Sequence, residues 1–226
     1  MFYDQLGSGE SSRPDDSALW TVEIFLEQLQ SVRHGLGLDE LHLFGSSWGG
    51  MLALEYAFTK PPGLKSLILN STPTSAPRWA EETLRLHADL PPGLDEKQAE
   101  EEFKRRHIIR LDPEPEVLAR ARAKFGTQVY ETMWGPNEFT VTGTLRGWDV
   151  IGLLGEIEVP TLITSGRYDE CTPKLVGPLQ EGIEGSEWVA FEESAHMAYL
   201  EEPERYLQIV GGFLDRVEGL AQPPPG

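Results

Sequence analysis

Gly45-Ser46-Ser47-Trp48-Gly49 has the G-x-S-x-G pattern, and it is where residue types and spacing in this chain first suggest covalent chemistry. The pattern suits a strand that turns sharply into a helix, holding the central serine, Ser47, strained and exposed. The helix that begins there would point its N-terminus at the site, and the Trp48 backbone N–H would face a developing oxyanion. A serine hydroxyl is a poor nucleophile without a base. In the order serine, acid, histidine, the acid follows one late strand and the histidine the next. Asp169 follows the run Thr161-Leu162-Ile163-Thr164 through Ser165-Gly166-Arg167-Tyr168. His196 follows Trp188-Val189-Ala190-Phe191 through Glu192-Glu193-Ser194-Ala195. His196 would then take the Ser47 proton and deliver it to the leaving group, while Asp169 held the imidazole and stabilised its cation.

The other candidates fit less well. His42 lies inside an apolar run and reads as a packed or edge residue, and His34, His87 and His107 fall on helical stretches and read as solvated. Asp4 and Asp149 do not close a late strand, and read as a turn residue and a cap. No His/Cys/Asp/Glu group has metal-ligand spacing and no glycine loop has the phosphate-binding pattern, so neither a metal nor an organic cofactor is expected. The single cysteine, Cys171, has no activating base beside it and reads as a small packing residue. With one cysteine no intramolecular disulfide can form, which fits a reducing compartment.

These residues need a scaffold, and the hydrophobic pattern supplies one. Residues 2–4 read as the end of a strand, followed by a turn at Gly7-Ser8-Gly9. Residues 18–34 carry apolar positions at helical spacing, from Leu19 through Phe25 to Val32, with Gly35 and Gly37 suited to end the helix. Residues 41–44 predict a buried strand, 51–59 a helix and 67–69 another strand. From Pro73 to Arg146 the character changes to charged and helical, with amphipathic segments near 79–90, 95–110 and 115–133. Strands at 161–164 and 188–191 then alternate with helices near 173–183 and 203–217. Alternation of this kind predicts an α/β fold with a mostly parallel sheet covered on both faces. The expected division is a first core part at 1–72, an inserted helical lid at 73–146 and a second core part at 147–226. The tail from Gln222 to Gly226 reads as a frayed end.

Composition narrows the partners. Among 226 residues, 37 Asp and Glu outnumber 19 Lys and Arg, for a formal charge of −18. Such a surface repels nucleic acid and anionic membranes. No run of eighteen apolar residues reads as a membrane span, and the N-terminus has no basic-then-apolar leader, so a cytoplasmic location is expected. Nothing in the sequence decides whether the chain forms a homo-oligomer.

Five segments together resemble the prolyl aminopeptidase (proline iminopeptidase) family of α/β-hydrolase serine peptidases. They are residues 2–9 (Phe-Tyr-Asp-Gln-Leu-Gly-Ser-Gly), 45–50 (Gly-Ser-Ser-Trp-Gly-Gly), 135–140 (Gly-Pro-Asn-Glu-Phe-Thr), 166–173 (Gly-Arg-Tyr-Asp-Glu-Cys-Thr-Pro) and 194–197 (Ser-Ala-His-Met). The resemblance spans nearly the whole chain, and its most specific parts are Asn137-Glu138-Phe139 and Asp169-Glu170. It implies that Glu138 and Glu170 bind the free amino terminus of a substrate, an ammonium that needs opposite charge in a partly dry pocket. Glu170 adjoins the acid and Glu138 would reach in from the lid, so the pair would admit one residue before the cleavage point. Tyr130, Trp134 and Phe139 would line a slot for a pyrrolidine ring, or else pack the core of the lid.

The implied activity is release of an N-terminal residue, preferably proline, from short peptides through an acyl-enzyme. An amidase of prolinamide or other amino acid amides, and a general esterase, are the near alternatives. Relatives of this kind carry a strand and a His-Gly-Gly-Pro-Gly loop ahead of the segment resembling residues 2–9, and that loop supplies a second oxyanion donor. Neither is found here, so an N-terminally truncated core is expected, and a catalytically impaired remnant acting as a binding module is the rival from another class.

Overall fold

In the computed structural model, which describes residues 1–220, four strands form one sheet in the order β1 (Leu41–Ser46), β2 (Leu64–Asn70), β3 (Thr161–Gly166) and β4 (Glu187–Phe191). All three pairings are parallel. The register sets Ser46 opposite Asn70 and Asn70 opposite Thr164, so the C-terminal ends of β1, β2 and β3 lie along one edge. In open parallel sheets that edge is where loops build ligand sites.

The helices meet most of the expectations. α1 (Val22–Gly35) starts where the Thr21 hydroxyl accepts the Ile24 N–H, and a separate short turn at Ser17–Leu19 takes up the first residues of the expected helix. α2 (Trp48–Phe58) is apolar almost all round and is accordingly buried behind β1 and β2. Between β2 and β3 come α3 (Ala76–Ala88), α4 (Glu96–His107), α5 (Glu116–Arg122) and α6 (Thr127–Met133). The segment expected as one helix near 115–133 is thus two, broken around Gly126. After β3 follow α7 (Pro173–Gly182), then β4, the four-residue α8 (Ala198–Glu201) and α9 (Pro203–Val217). Among the described residues no helix is long and apolar enough to cross a membrane.

Residues 2–4 do not form the expected strand end. No described strand flanks the outer side of β1, so a strand there would leave its backbone groups unpaired. Instead the Asp4 carboxylate accepts the Glu10 N–H at 2.8 Å and its carbonyl accepts the Ser11 hydroxyl at 2.6 Å, making the turn that was expected of Asp4. The expected fraying of 222–226 lies outside the described residues.

The main core joins both parts of the chain. Leu54, Leu67, Leu69, Ile163, Val176 and Leu179 are fully covered, and Trp79, Met133 and Trp134 from the insertion pack into the same cluster. The insertion is therefore seated on the sheet by large aromatic side chains, each of which removes substantial apolar surface from water.

Candidate active site

Ser47 has φ 54° and ψ −120°, a left-handed conformation that costs a non-glycine residue free energy. Its own N–H donates to the Asn70 carbonyl at 2.9 Å, which holds the turn against β2. The turn is tight enough that a Cβ at Gly45 would run into the Gly49 backbone, and one at Gly50 would run into the Thr72 side chain. Gly49, the second glycine of the motif, faces open space, so the close approach here needs Gly45 and Gly50 instead. Trp48 is the first residue of α2, so its N–H has no acceptor within the helix. The Trp48 indole is tied to the Gln5 side chain at 2.9 Å.

His196 and Asp169 come together as expected. His196 Nδ1 and Asp169 Oδ1 are 2.8 Å apart, and the two residues are only 6% and 2% exposed. Asp169 Oδ1 also accepts the Cys171 N–H at 2.8 Å, and Oδ2 accepts the Gly166 N–H at 3.4 Å. Burial alone would favour the neutral imidazole. The Asp169 charge and hydrogen bond, with Glu138 and Glu201 behind them, outweigh it and raise the His196 pKa above the usual 6.5. The His196 carbonyl accepts from Asn70 Nδ2 at 3.2 Å and from the Ser71 hydroxyl at 3.1 Å, and Asn70 Nδ2 also donates to the Ser46 hydroxyl at 2.9 Å. Asn70 thus couples the serine turn to the histidine loop. Sequence reasoning missed it, although a polar residue closing an apolar strand was a usable signal.

Ser47, Trp48 and His196 open onto one cavity of about 380 Å³, which Tyr130, Glu138 and Glu170 also line. Trp134 lines it as well, and Asp169 bonds to a residue that does, but Phe139, expected at the same slot, packs instead against His87 and Phe103 inside the insertion. Glu170 is 1% exposed, its Oε1 lies 3.8 Å from His196 Nδ1, and its Oε2 has no hydrogen-bond partner. Burial pushes its carboxyl well above the usual carboxylate range, and the charges of Glu138 and Asp169 push the same way. Glu138 is also raised, chiefly by burial, with His196, Tyr130 and Lys104 opposing. Burial first, and then the Glu138 charge, raise the Tyr130 phenol. The cavity thus holds an acidic pair, Glu170 buried and Glu138 half-buried, and a cation placed there would lower both carboxyl pKa values at once.

Trp79 was not foreseen. Its ring stands edge-on to His196 at 6.2 Å, and its Nε1–H donates to the Glu138 carbonyl at 3.0 Å. Nothing in an amphipathic helix pattern separates such a tryptophan from an ordinary core residue. Cys171 is fully buried and Asp149 caps the Ile151 N–H at 3.1 Å, as expected. His42 bridges Ser66 and Glu218 at the β1 end of the sheet, which fits an edge residue. His107 departs from expectation: it is half-buried and bonded to the acid loop rather than solvated. Among the described residues no group of three or more His, Cys, Asp or Glu could hold a metal ion.

A strained serine at a strand-to-helix turn, before parallel strands that carry an acid and a histidine, defines a protein of the α/β-hydrolase class, and the family model described as the alpha/beta hydrolase fold matches residues 2–203. A proline iminopeptidase of Heyndrickxia coagulans is 40% identical to the chain, over 96% of this chain and 81% of that protein. The chain belongs to the proline iminopeptidase family. Among solved structures, the proline iminopeptidase of Mycobacterium smegmatis superposes with a TM-score of 0.90 at 35% identity, and VinJ with 0.90 at 37%. Each match covers 97% of this chain and 80% of the other.

Proposed function

We propose that the chain is a serine aminopeptidase that releases an N-terminal residue, preferably proline, from short peptides. The observation that carries this reading is the acidic pair Glu138 and Glu170, the first half-buried and the second buried, in the same cavity as Ser47 and His196. A general esterase has no use for two desolvated carboxylates beside its base, whereas a substrate ammonium would offset the cost of burying them. In this reading Ser47 attacks the carbonyl of the first residue, with His196 Nε2 accepting the hydroxyl proton. The Trp48 N–H stabilises the oxyanion, and His196 then protonates the leaving amine. Water attacks the acyl-enzyme by the same relay. Asp169 holds the imidazole and its cation.

Glu138 and Glu170 would clamp the amino end, with Tyr130 at the wall of the slot. The ammonium then sits too close to the scissile bond for a second residue to intervene. Residues 73–146 would serve as a lid delivering Glu138 and Tyr130, between core parts 1–72 and 147–226. A cytoplasmic site of action fits the lone, buried Cys171.

An amidase acting on prolinamide would use the same two glutamates and differs only in the leaving group. Rates on proline p-nitroanilide, prolinamide and p-nitrophenyl acetate separate the readings. The anilide should be preferred over the acetate ester by kcat/KM, and a preference for the ester would overturn the aminopeptidase reading. Fluorophosphonate should label Ser47, and absence of labelling would favour a non-catalytic binding module.

A further inference from the structure

Glu170 has no side-chain hydrogen bond to fix Oε2, so its position must come from its backbone and packing. The backbone contacts lead to His107, the last residue of α4. The Glu170 N–H donates to the His107 carbonyl at 3.3 Å, and His107 Nδ1 donates to the Tyr168 carbonyl at 2.9 Å. The Arg110 guanidinium covers the Tyr168 ring at 3.7 Å. Burial lowers the His107 pKa, with Arg106 and Arg85 adding to it and the Tyr168 carbonyl and the Asp169 charge opposing, and the carbonyl acceptor requires Nδ1 to carry a proton. On its other side the ring meets Phe103 at 5.1 Å, and Phe103 meets Phe139 at 5.7 Å. Phe139 is the chain neighbour of Glu138. One helix end therefore touches the segments that carry both carboxylates, one from the core and one from the insertion.

We infer that His107 is a positioning residue that sets the spacing of Glu170 and Glu138, and through it the recognition of a substrate's amino end. This rests on the ammonium reading proposed above. A clamp for one small cation needs two oxygens placed to within a fraction of an ångström, and an unpartnered carboxylate does not supply that order by itself. His107 bonds the loop on both sides of Asp169, at the Tyr168 carbonyl and the Glu170 N–H, and so restricts both translation and rotation of Glu170.

The test uses the full chain and a double-mutant cycle. His107→Phe keeps an aromatic ring against Phe103 and removes the donor to Tyr168, and it should raise KM for proline p-nitroanilide about 5- to 10-fold, as expected for one hydrogen bond. The ratio of anilide to ester kcat/KM should fall by a similar factor. His107→Asn, which retains an N–H donor, should recover part of the loss. In a Glu170→Gln background the His107→Phe effect on KM should largely vanish, because the group it positions is no longer charged. Equal cost in both backgrounds, or no cost in the wild-type background while Glu170→Gln is costly, would overturn the positioning role alone. If Glu170→Gln is itself silent, the ammonium reading fails and this inference fails with it. Thermal melts of each variant separate misfolding from mispositioning: a KM rise confined to variants with lowered Tm would also overturn it.

Discussion

Asp169 engages both its oxygens with groups from its own loop and from His196, all carried by the C-terminal edge of the sheet. Glu138 comes from the helical insertion, and Glu170, although next to Asp169 in sequence, leaves Oε2 without a partner. Asp169 and Glu170 are about equally buried, yet the two acidic pockets are built oppositely. The first is complete in itself: each buried polar group has a mate, which is how a low-dielectric interior normally tolerates charge. The second is unfinished: burial raises both carboxyl pKa values, the charges of Glu138 and Asp169 raise Glu170 further, and only Glu138 has opposing charges, from His196 and Lys104. The contrast separates chemistry from recognition. The sheet edge holds what must not move, and the junction with the insertion holds what awaits a positively charged visitor.

The comparison is most exposed to failure at the sheet edge. Ser47→Ala should lower kcat on proline p-nitroanilide on the order of 10⁶-fold, and Asp169→Asn about 10⁴-fold, since the amide would stabilise the wrong imidazole tautomer. Losses below about 10-fold for either would show that this edge does not carry the reaction.

At the unfinished pocket the effect should be smaller and selective. Glu138→Gln and Glu170→Gln should each lower anilide kcat/KM about 10- to 100-fold, the scale of a charge-assisted hydrogen bond, with p-nitrophenyl acetate much less affected. Parallel losses on both substrates would erase the distinction between the two pockets.

Stability should move in the other direction. Because Glu170 has a higher pKa folded than unfolded, its contribution favours folding below the unfolded value and is lost as pH rises through the folded one. Glu170→Gln should therefore be the more stable protein at neutral pH, by about 1–3 kcal/mol, the cost of one unsatisfied buried group. Its advantage over wild type should shrink as pH falls towards 4.5. Denaturant unfolding at several pH values measures this, and an advantage that does not grow with pH would mean that Glu170 is satisfied after all.

The smallest effect concerns the base. His196 must be neutral to accept the serine proton, so kcat/KM should climb with pH through a midpoint above 6.5. Glu138 is among the charges that raise that pKa, and Glu138→Gln should shift the midpoint downward. A pH–rate profile of the two proteins decides it.

Much of this was legible along the chain. All four strands fall on apolar runs, although only the central β2 and β3 are buried and the edge strands β1 and β4 are partly covered, and the strand ends then locate Ser47, Asp169 and His196 without any knowledge of contacts. Residues 2–4 misled because an apolar-aromatic run resembles a strand whether or not a neighbouring strand exists to pair with it. Asn70, Trp79 and His107 were invisible for a related reason. Each acts across more than fifty residues of sequence, on the His196 carbonyl, the Glu138 carbonyl and the Tyr168 carbonyl respectively. No local pattern reports a backbone acceptor on another loop.

Composition and order by themselves determined the fold class and the candidates for nucleophile, acid and base, because periodicity and turn chemistry are properties of neighbouring residues, while Glu138 and Glu170 stood out only through the family resemblance. Only the folded chain decided that Glu138 and Glu170 share a cavity with Ser47, that Gly50 rather than Gly49 makes the serine turn possible, and that α4 is bonded to the acid loop. Those facts depend on distances between remote segments, and on how far each buried charge is kept from water, which packing in three dimensions alone sets.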